Sequence, residues 1–166
     1  MNILYAILYL MLLGVASHYV GQWLPRRWFH PDRFPFRSWK WEQEGSVYRR
    51  LGIQHWKDLV PDMSKILPDM VPKRVSSRET AEEAMILVQE TCVAEVVHAA
   101  LMVLASGIVL ICPNGWGVAL ALFDALLLNL PYILIQRYNR PKLLRLAEKL
   151  RRKEEKQLHE IPDSDL

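Results

Sequence analysis

The feature that most restricts how this chain can fold is a long apolar stretch, residues 84–138, which a single turn sequence divides in two. Pro113, Asn114 and Gly115 stand at the division, and together they end one helix and reverse the chain. Each arm has about 20 residues without Lys or Arg, enough to cross a hydrocarbon core roughly 30 Å thick. The stretch therefore predicts a helical hairpin that crosses a membrane twice.

A third apolar segment, residues 1–24, contains no Lys, Arg, Asp or Glu. All 21 Lys and Arg residues fall within residues 25–83 or 136–166, so the mean hydropathy of +0.02 hides a separation of apolar from charged segments. We therefore predict an all-α integral membrane protein with about three transmembrane helices. Residues 1–166 are expected to form a single membrane domain, with spans at about 3–24, 84–112 and 116–136.

The distribution of positive charge predicts the orientation. Both basic regions lie on one side, which the positive-inside rule assigns to the cytoplasm, with the amino terminus and the 113–115 turn outside. Residues 25–83 are then a cytoplasmic interfacial segment, and residues 140–159 a basic amphipathic helix at the inner leaflet. A cleaved signal peptide is the competing interpretation of the first span. We favour a retained span because a basic amino-terminal region is missing and Gly14-Val15-Ala16 is a weak cleavage site.

Glycine, capping residues and proline predict how the segments outside the spans are divided. Gly45 and Gly52 argue against one uninterrupted helix in this part of the interfacial segment, and a short amphipathic piece is expected at residues 63–70. Ser76-Ser77-Arg78-Glu79 has the spacing of a capping box and predicts the start of the second spanning helix. Pro141 suits the first turn of a new helix, the amphipathic one.

Polar side chains inside the apolar hairpin indicate a functional site, because such groups at bilayer depth are costly and usually face a protein interior or a wet cavity. Counted from Asn114, His98 lies 16 positions before the turn and Asn129 lies 15 after it, so both are roughly 22–24 Å from the turn. Glu95 shares a helix face with His98. Asp124 lies nearer the turn without an evident partner, and it is left out of the predicted site.

Three stretches have a distinctive order and spacing: Trp41-Glu42-Gln43-Glu44-Gly45 with Trp56-Lys57, Glu95-Val96-Val97-His98, and Asn129-Leu130-Pro131 running into Gln136-Arg137-Tyr138-Asn139-Arg140-Pro141. In these stretches the chain resembles the glycosyl-4,4'-diaponeurosporenoate acyltransferases. The likeness extends from about Ser38 to Leu144, and Lys142 stands where that pattern would have Arg. It implies an enzyme of the bacterial cell membrane that attaches a fatty acyl chain to a sugar hydroxyl of a glycosylated carotenoid acid, the last step of staphyloxanthin-type pigment synthesis.

Acyl transfer to a hydroxyl needs a base and hydrogen-bond donors for the developing oxyanion. We predict a catalytic group with His98 as the base, Glu95 as the carboxylate that orients its ring, and Asn129 as the oxyanion donor. Arg137 and Arg140 are predicted to bind phosphates of an acyl-CoA co-substrate or a lipid headgroup. The other candidate substrate-binding residues are Gln136, Tyr138, Asn139, Glu42, Trp56 and Lys57.

Other interpretations of the same residues stay open. Glu95 and His98 could hold two helices together, the arginines could be interfacial anchors, and the chain could be a non-catalytic lipid- or helix-binding membrane protein. Glu-x-x-His spacing also occurs in di-iron proteins, so a metal-dependent lipid-modifying enzyme is a further alternative, but the sequence has one such motif and we predict neither a metal nor a cofactor. The expected partners are a membrane lipid or glycolipid and an acyl donor, with no nucleic acid because the net charge is only +3. Self-association would thicken a bundle of three spans.

Overall fold

The computed structural model describes residues 2–60 and 80–159, and in this part of the chain every regular element is helical. Three helical stretches are long and apolar enough to cross a membrane: Ile3–Trp23, Ala81–Ile111 and Gly115–His159. The prediction of an all-α fold with about three transmembrane helices is confirmed.

The first stretch is one helix, α1 (Asn2–Trp23). The segment after it contains two short α-helices, α2 (Ser46–Arg50) and α3 (Ile53–Trp56), and three 3-10 turns at Arg26–Trp28, Lys40–Gly45 and Lys57–Leu59. The second stretch comprises α4 (Ala81–Ala105) and α5 (Ile108–Ile111). The third comprises α6 (Gly115–Phe123), a π-helical turn (Asp124–Asn129) and α7 (Leu130–His159).

The turn of the hairpin lies where the Pro-Asn-Gly sequence predicts it. Asn114 is the N-cap of α6, and its side-chain oxygen accepts hydrogen bonds from the backbone N–H groups of Trp116 (3.0 Å) and Gly117 (3.4 Å). A Cβ atom at Gly117 would lie 1.9 Å from the carbonyl oxygen of Cys112. Only glycine therefore lets the two arms approach so closely at this point.

Helices α4 and α7 run antiparallel and form the main packing interface. At one end the backbone N–H of Ala81 donates to Glu154 (2.8 Å), and farther along His98 faces Asn129. Helix α1 packs beside α4, with the Tyr9 hydroxyl donating to the carbonyl oxygen of Leu104 (2.8 Å). These contacts hold the three long helical stretches as one bundle.

Of two predicted helix starts, the one at Pro141 is wrong and the other falls on residues that the structure does not describe. Helix α4 begins after Thr80, whose extended backbone and reciprocal bonds with Glu83 form the capping box. The box predicted at residues 76–79, like the piece at 63–70, lies outside the described residues. Pro141 does not begin a new helix but lies inside α7. A proline there costs about 3 kcal/mol locally, and the helix nevertheless continues because Arg137 and Arg140, in the preceding turn, are both bonded to α4.

Residues 24–60, which we call the folded-back segment, fold back onto α4 and α7. As predicted, glycines interrupt the helix: Gly45 (φ 90°) precedes α2 and Gly52 (φ 70°) precedes α3, both in the left-handed region. Phe29 and Phe36 pack against α4 at Cys92 and Val93. Tyr48 and Ile53 pack against Tyr138 of α7. This packing brings Glu42 to the hairpin.

Candidate functional site

A cluster of buried charges, which we call the charged cluster, joins Glu42, Glu95, Arg137 and Arg140. The Nε atom of Arg137 donates to Glu42 Oε1 (2.6 Å), and its Nη1 atom donates to Glu95 Oε1 (2.7 Å). The same guanidinium also bonds the carbonyl oxygen of Pro35 (3.2 Å). Arg137 therefore ties the folded-back segment to both arms of the hairpin.

Arg140 has a more enclosed position in the charged cluster, with its side chain only 3 % exposed. It donates to Glu95 Oε2, to the hydroxyl of Thr91 (2.8 Å), to the carbonyl oxygen of Thr91 (3.0 Å) and to that of Phe36 (2.8 Å). Two carboxylates thus face two guanidinium groups, and the formal charges balance. Buried ions are retained in this way only when they are paired and hydrogen-bonded.

Glu42 has three donors around its carboxylate. The Tyr48 hydroxyl and Arg137 bond Oε1, and the backbone N–H of Trp39 bonds Oε2 (2.6 Å). Burial alone would raise the pKa of Glu42, but the bonds from Tyr48, Arg137 and Trp39 lower it below the ordinary value. Burial and the Glu42 carboxylate raise the pKa of Tyr48. Glu42 is therefore an anion, and Tyr48 its neutral donor, at neutral pH.

A second group of polar residues, the histidine cluster, comprises His98, Asp124, Asn129 and Tyr132. His98 Nδ1 lies 2.9 Å from Asn129 Oδ1. The amide nitrogen of Asn129 donates to the carbonyl oxygen of Asp124 (3.1 Å) and to its Oδ2 (2.7 Å). The imidazole stacks on the Tyr132 ring, with centroids 4.5 Å apart and planes 8° from parallel. The equal depth that residue counting predicts for His98 and Asn129 is what the structure has.

The partners of Glu95 and His98 differ from those that the sequence predicts. Both carboxylate oxygens of Glu95 accept hydrogen bonds from Arg137 and Arg140, whereas the side chain at His98 Nδ1 is that of Asn129. The amide nitrogen of Asn129 donates to Asp124, and its amide oxygen faces His98; its role as an oxyanion donor stays a prediction.

Asp124 is left out of the predicted site because no partner is evident in the sequence, whereas in the structure its carboxylate accepts a hydrogen bond from the Asn129 amide. It lies five positions before Asn129, a spacing that does not share a face in a regular α-helix. The signal in the sequence was its chemistry, since an acid among leucines in an apolar span needs a polar partner.

Comparison with known proteins decides the family. The family model of glycosyl-4,4'-diaponeurosporenoate acyltransferases (CrtO) matches residues 25–149, which include both clusters. The chain belongs to this family. It is similar to proteins named glycosyl-4,4'-diaponeurosporenoate acyltransferase in Staphylococcus aureus: that of strain MRSA252 is 28% identical over 147 residues, 87% of this chain and 86% of the relative. Those of strains Newman and bovine RF122 / ET3-1 are 27% and 26% identical over the same shares. No solved structure gives a significant match.

The other predicted site residues of this acyltransferase lie around α7 and the folded-back segment. Gln136 and Tyr138 are buried, and the ammonium of Lys142 lies 3.3 Å from the centre of the Tyr138 ring. The indole N–H of Trp56 donates to the carbonyl oxygen of Leu51 (3.3 Å), and Trp56 packs against the apolar cluster that contains Tyr138.

Asn139 and Lys57 are half-buried, and Lys57 pairs with Asp58 (2.8 Å). Within residues 2–60 and 80–159, no three His, Cys, Asp or Glu side chains converge so as to hold a metal ion.

The two clusters of the acyltransferase thus differ in what they can do. The charged cluster joins the folded-back segment to both arms of the hairpin, and the histidine cluster holds an imidazole beside an amide.

Proposed function

We propose that this acyltransferase is embedded in the bacterial cell membrane and moves a fatty acyl group onto a hydroxyl of a lipid-linked sugar. The acceptor resembles a glycosylated carotenoid acid, as in the names of the relatives. The donor is of the acyl-CoA type. The observation that carries the proposal is the contact across the hairpin between His98 and Asn129, which holds an imidazole at a fixed depth in the bundle.

His98 acts as the general base in this proposal. Its imidazole accepts the proton of the acceptor hydroxyl as the oxygen attacks the carbonyl carbon of the acyl thioester. The C–S bond then breaks, and the departing thiolate takes the proton from the imidazolium to leave as a thiol. An ester is formed, a thioester is consumed, and the histidine returns to its neutral form.

The donor is proposed to approach from the side of the charged cluster. Arg137 is its substrate-facing arginine, since its side chain is 12% exposed whereas that of Arg140 is 3% exposed. A phosphate would exchange with one of the two carboxylates that hold Arg137. Gln136, Tyr138, Asn139, Glu42, Trp56 and Lys57 complete the proposed binding region.

The orientation follows from the charges. Residues 25–83 and 136–166 carry the Lys and Arg residues, so both are placed in the cytoplasm, with the amino terminus outside and the carboxyl terminus inside. The site then lies towards the cytoplasmic leaflet, where acyl-CoA is present.

Lipid vesicles containing the purified protein, labelled palmitoyl-CoA and a glycosylated carotenoid acid test the proposal. His98→Ala is expected to lower kcat by about 10²- to 10⁴-fold, because the base is lost. His18→Ala is the matched control, a histidine of the apolar helix α1 outside both clusters, and it should leave turnover unchanged.

Two results would contradict the proposal. Native turnover in the folded His98→Ala variant would remove the imidazole from the mechanism. Absence of product from native protein with palmitoyl-CoA, palmitoyl carrier protein and a range of lipid hydroxyls would favour a lipid- or helix-binding protein. Product with the carrier protein alone would change the donor and leave the role of His98 intact.

A further inference from the structure

We propose that Asp124 is a positioning residue of the acyltransferase, which acts through Asn129 to hold His98 in the tautomer with hydrogen on Nδ1. This inference rests on the proposed function, in which His98 is the base. It assigns a role to an acidic side chain that bonds Asn129, the residue on which His98 is held.

The π-helical turn is what brings the two residues together. In a regular α-helix, residues five apart point about 140° away from each other, because each residue turns the chain by about 100°. Asp124 and Asn129 are the first and last residues of a π-helical turn, whose wider winding places positions i and i+5 on one face. Both side chains are buried there, although Leu126, Leu127 and Leu128 between them are exposed.

Asp124 determines which way the Asn129 amide faces. A primary amide has two hydrogens, and both are used on Asp124, one on its backbone carbonyl oxygen (3.1 Å) and one on its carboxylate (2.7 Å). The amide oxygen is thereby directed to His98 Nδ1, 2.9 Å away. A rotated amide would place N–H groups against His98 and its oxygen against the two Asp124 oxygens that now accept from it, the backbone carbonyl and Oδ2.

The amide orientation in turn selects the tautomer of His98. A carbonyl oxygen only accepts hydrogen bonds, so Nδ1 must be the donor in this contact. In the neutral ring the other nitrogen, Nε2, then carries the lone pair that can take a proton. Asp124 therefore determines, two contacts away, which nitrogen of His98 is basic.

The first arm of the test uses kinetics. Asp124→Ala is expected to lower kcat by roughly 10- to 100-fold with KM changed less than about twofold, because the base is present but less often in the required tautomer. Asp124→Asn keeps an acceptor oxygen of the same reach and should recover part of the loss. Asn129→Ala should match Asp124→Ala, and the double variant should be no worse than either, since both act through one contact.

The second arm does not require turnover. Nitrogen-15 NMR of protein labelled at histidine, with the His98 signals assigned by His98→Gln, reports which ring nitrogen carries the hydrogen. Native protein should show Nδ1 protonated, and Asp124→Ala should show a mixture of both tautomers. Glu90→Gln is the control for removing a carboxylate from the hairpin: Glu90 pairs with Arg26 (2.6 Å), and the His98 signals should not change.

The outcomes separate this inference from the proposed function. An unchanged tautomer and unchanged kcat in folded Asp124→Ala would overturn the positioning role while His98→Ala still abolished turnover. Loss of activity through poor folding, with the native tautomer retained, would also overturn it and leave Asp124 a structural residue. If native protein transferred no acyl group, the proposed function would fail, and the tautomer measurement would still decide whether Asp124 holds His98.

Discussion

The charged cluster and the histidine cluster lie one turn apart along α4, at Glu95 and His98, yet they differ in the kind of polar group that they bury. In the charged cluster, full ionic charges are buried and balanced, and the guanidinium of Arg140 donates to acceptors within the protein. In the histidine cluster, a neutral amide stands between a carboxylate and an imidazole. Buried ion pairs resist change because separating them is costly, whereas an imidazole can gain and lose a proton near neutral pH. We therefore expect Arg140 and its partners in the first cluster to contribute mainly to stability, and the imidazole of the second to the chemistry proposed above.

Arg140→Ala is the strongest challenge to this comparison. It leaves one carboxylate oxygen of Glu95 and both acceptors of Thr91 without their donor, so the free energy of unfolding should fall by about 3–5 kcal/mol. Chemical unfolding in detergent micelles measures the loss.

Arg145→Ala is the control for that loss. Arg145 also pairs with a glutamate, Glu44 (3.2 Å), but the two side chains are 57% and 77% exposed, and such a pair contributes at most about 1 kcal/mol. Equal effects of the two substitutions would show that the charged cluster is not a stabilising element.

Acid should weaken the charged cluster through Glu42, with a smaller effect. Because the pKa of folded Glu42 lies below its ordinary value of 4.5, its carboxylate stabilises the fold above about that pH, and the contribution is lost as the pH falls through the lowered value. Glu42→Gln has no charge to lose. Unfolding measured from pH 7 to pH 3 should therefore show native protein more stable than the variant at neutral pH and the difference shrinking in acid. A constant difference across the range would contradict the role of the carboxylate charge.

Gly45→Ala should give the smallest of the three losses, about 1–2 kcal/mol. Gly45 has a φ of 90° three positions after Glu42, and a Cβ there would also lie 3.5 Å from the carbonyl oxygen of Tyr138. Gly14→Ala is the matched control, because Gly14 lies within α1 with nothing within 4 Å of an added Cβ, and no loss is expected. Thermal unfolding compares them. Gly45 lies beside Glu42 of the charged cluster and outside the histidine cluster. A changed His98 tautomer in this variant would therefore mean that the two clusters are not independent.

Prediction from the sequence succeeded where the property was local. Apolar run lengths predict the spanning helices, and Pro113, Asn114 and Gly115 predict the turn between the arms. The breaks at Gly45 and Gly52 were likewise predictable, since glycine is a poor helix former, and in the structure both residues have a positive φ. Pro141 misled the prediction because its local cost is offset by bonds that Arg137 and Arg140 make to a helix about 45 residues away.

The sequence by itself determined the three apolar helices and the equal depth of His98 and Asn129, because hydropathy and rise per residue depend on neighbours along the chain. Only the tertiary structure decided the partners. The folded-back segment carries Glu42 to Arg137, 95 positions away, and leaves Glu95 bonded to two arginines. The π-helical turn then rotates Asp124 onto the face of Asn129. Such pairings depend on how helices wind and pack in three dimensions, and residue spacing does not encode that directly.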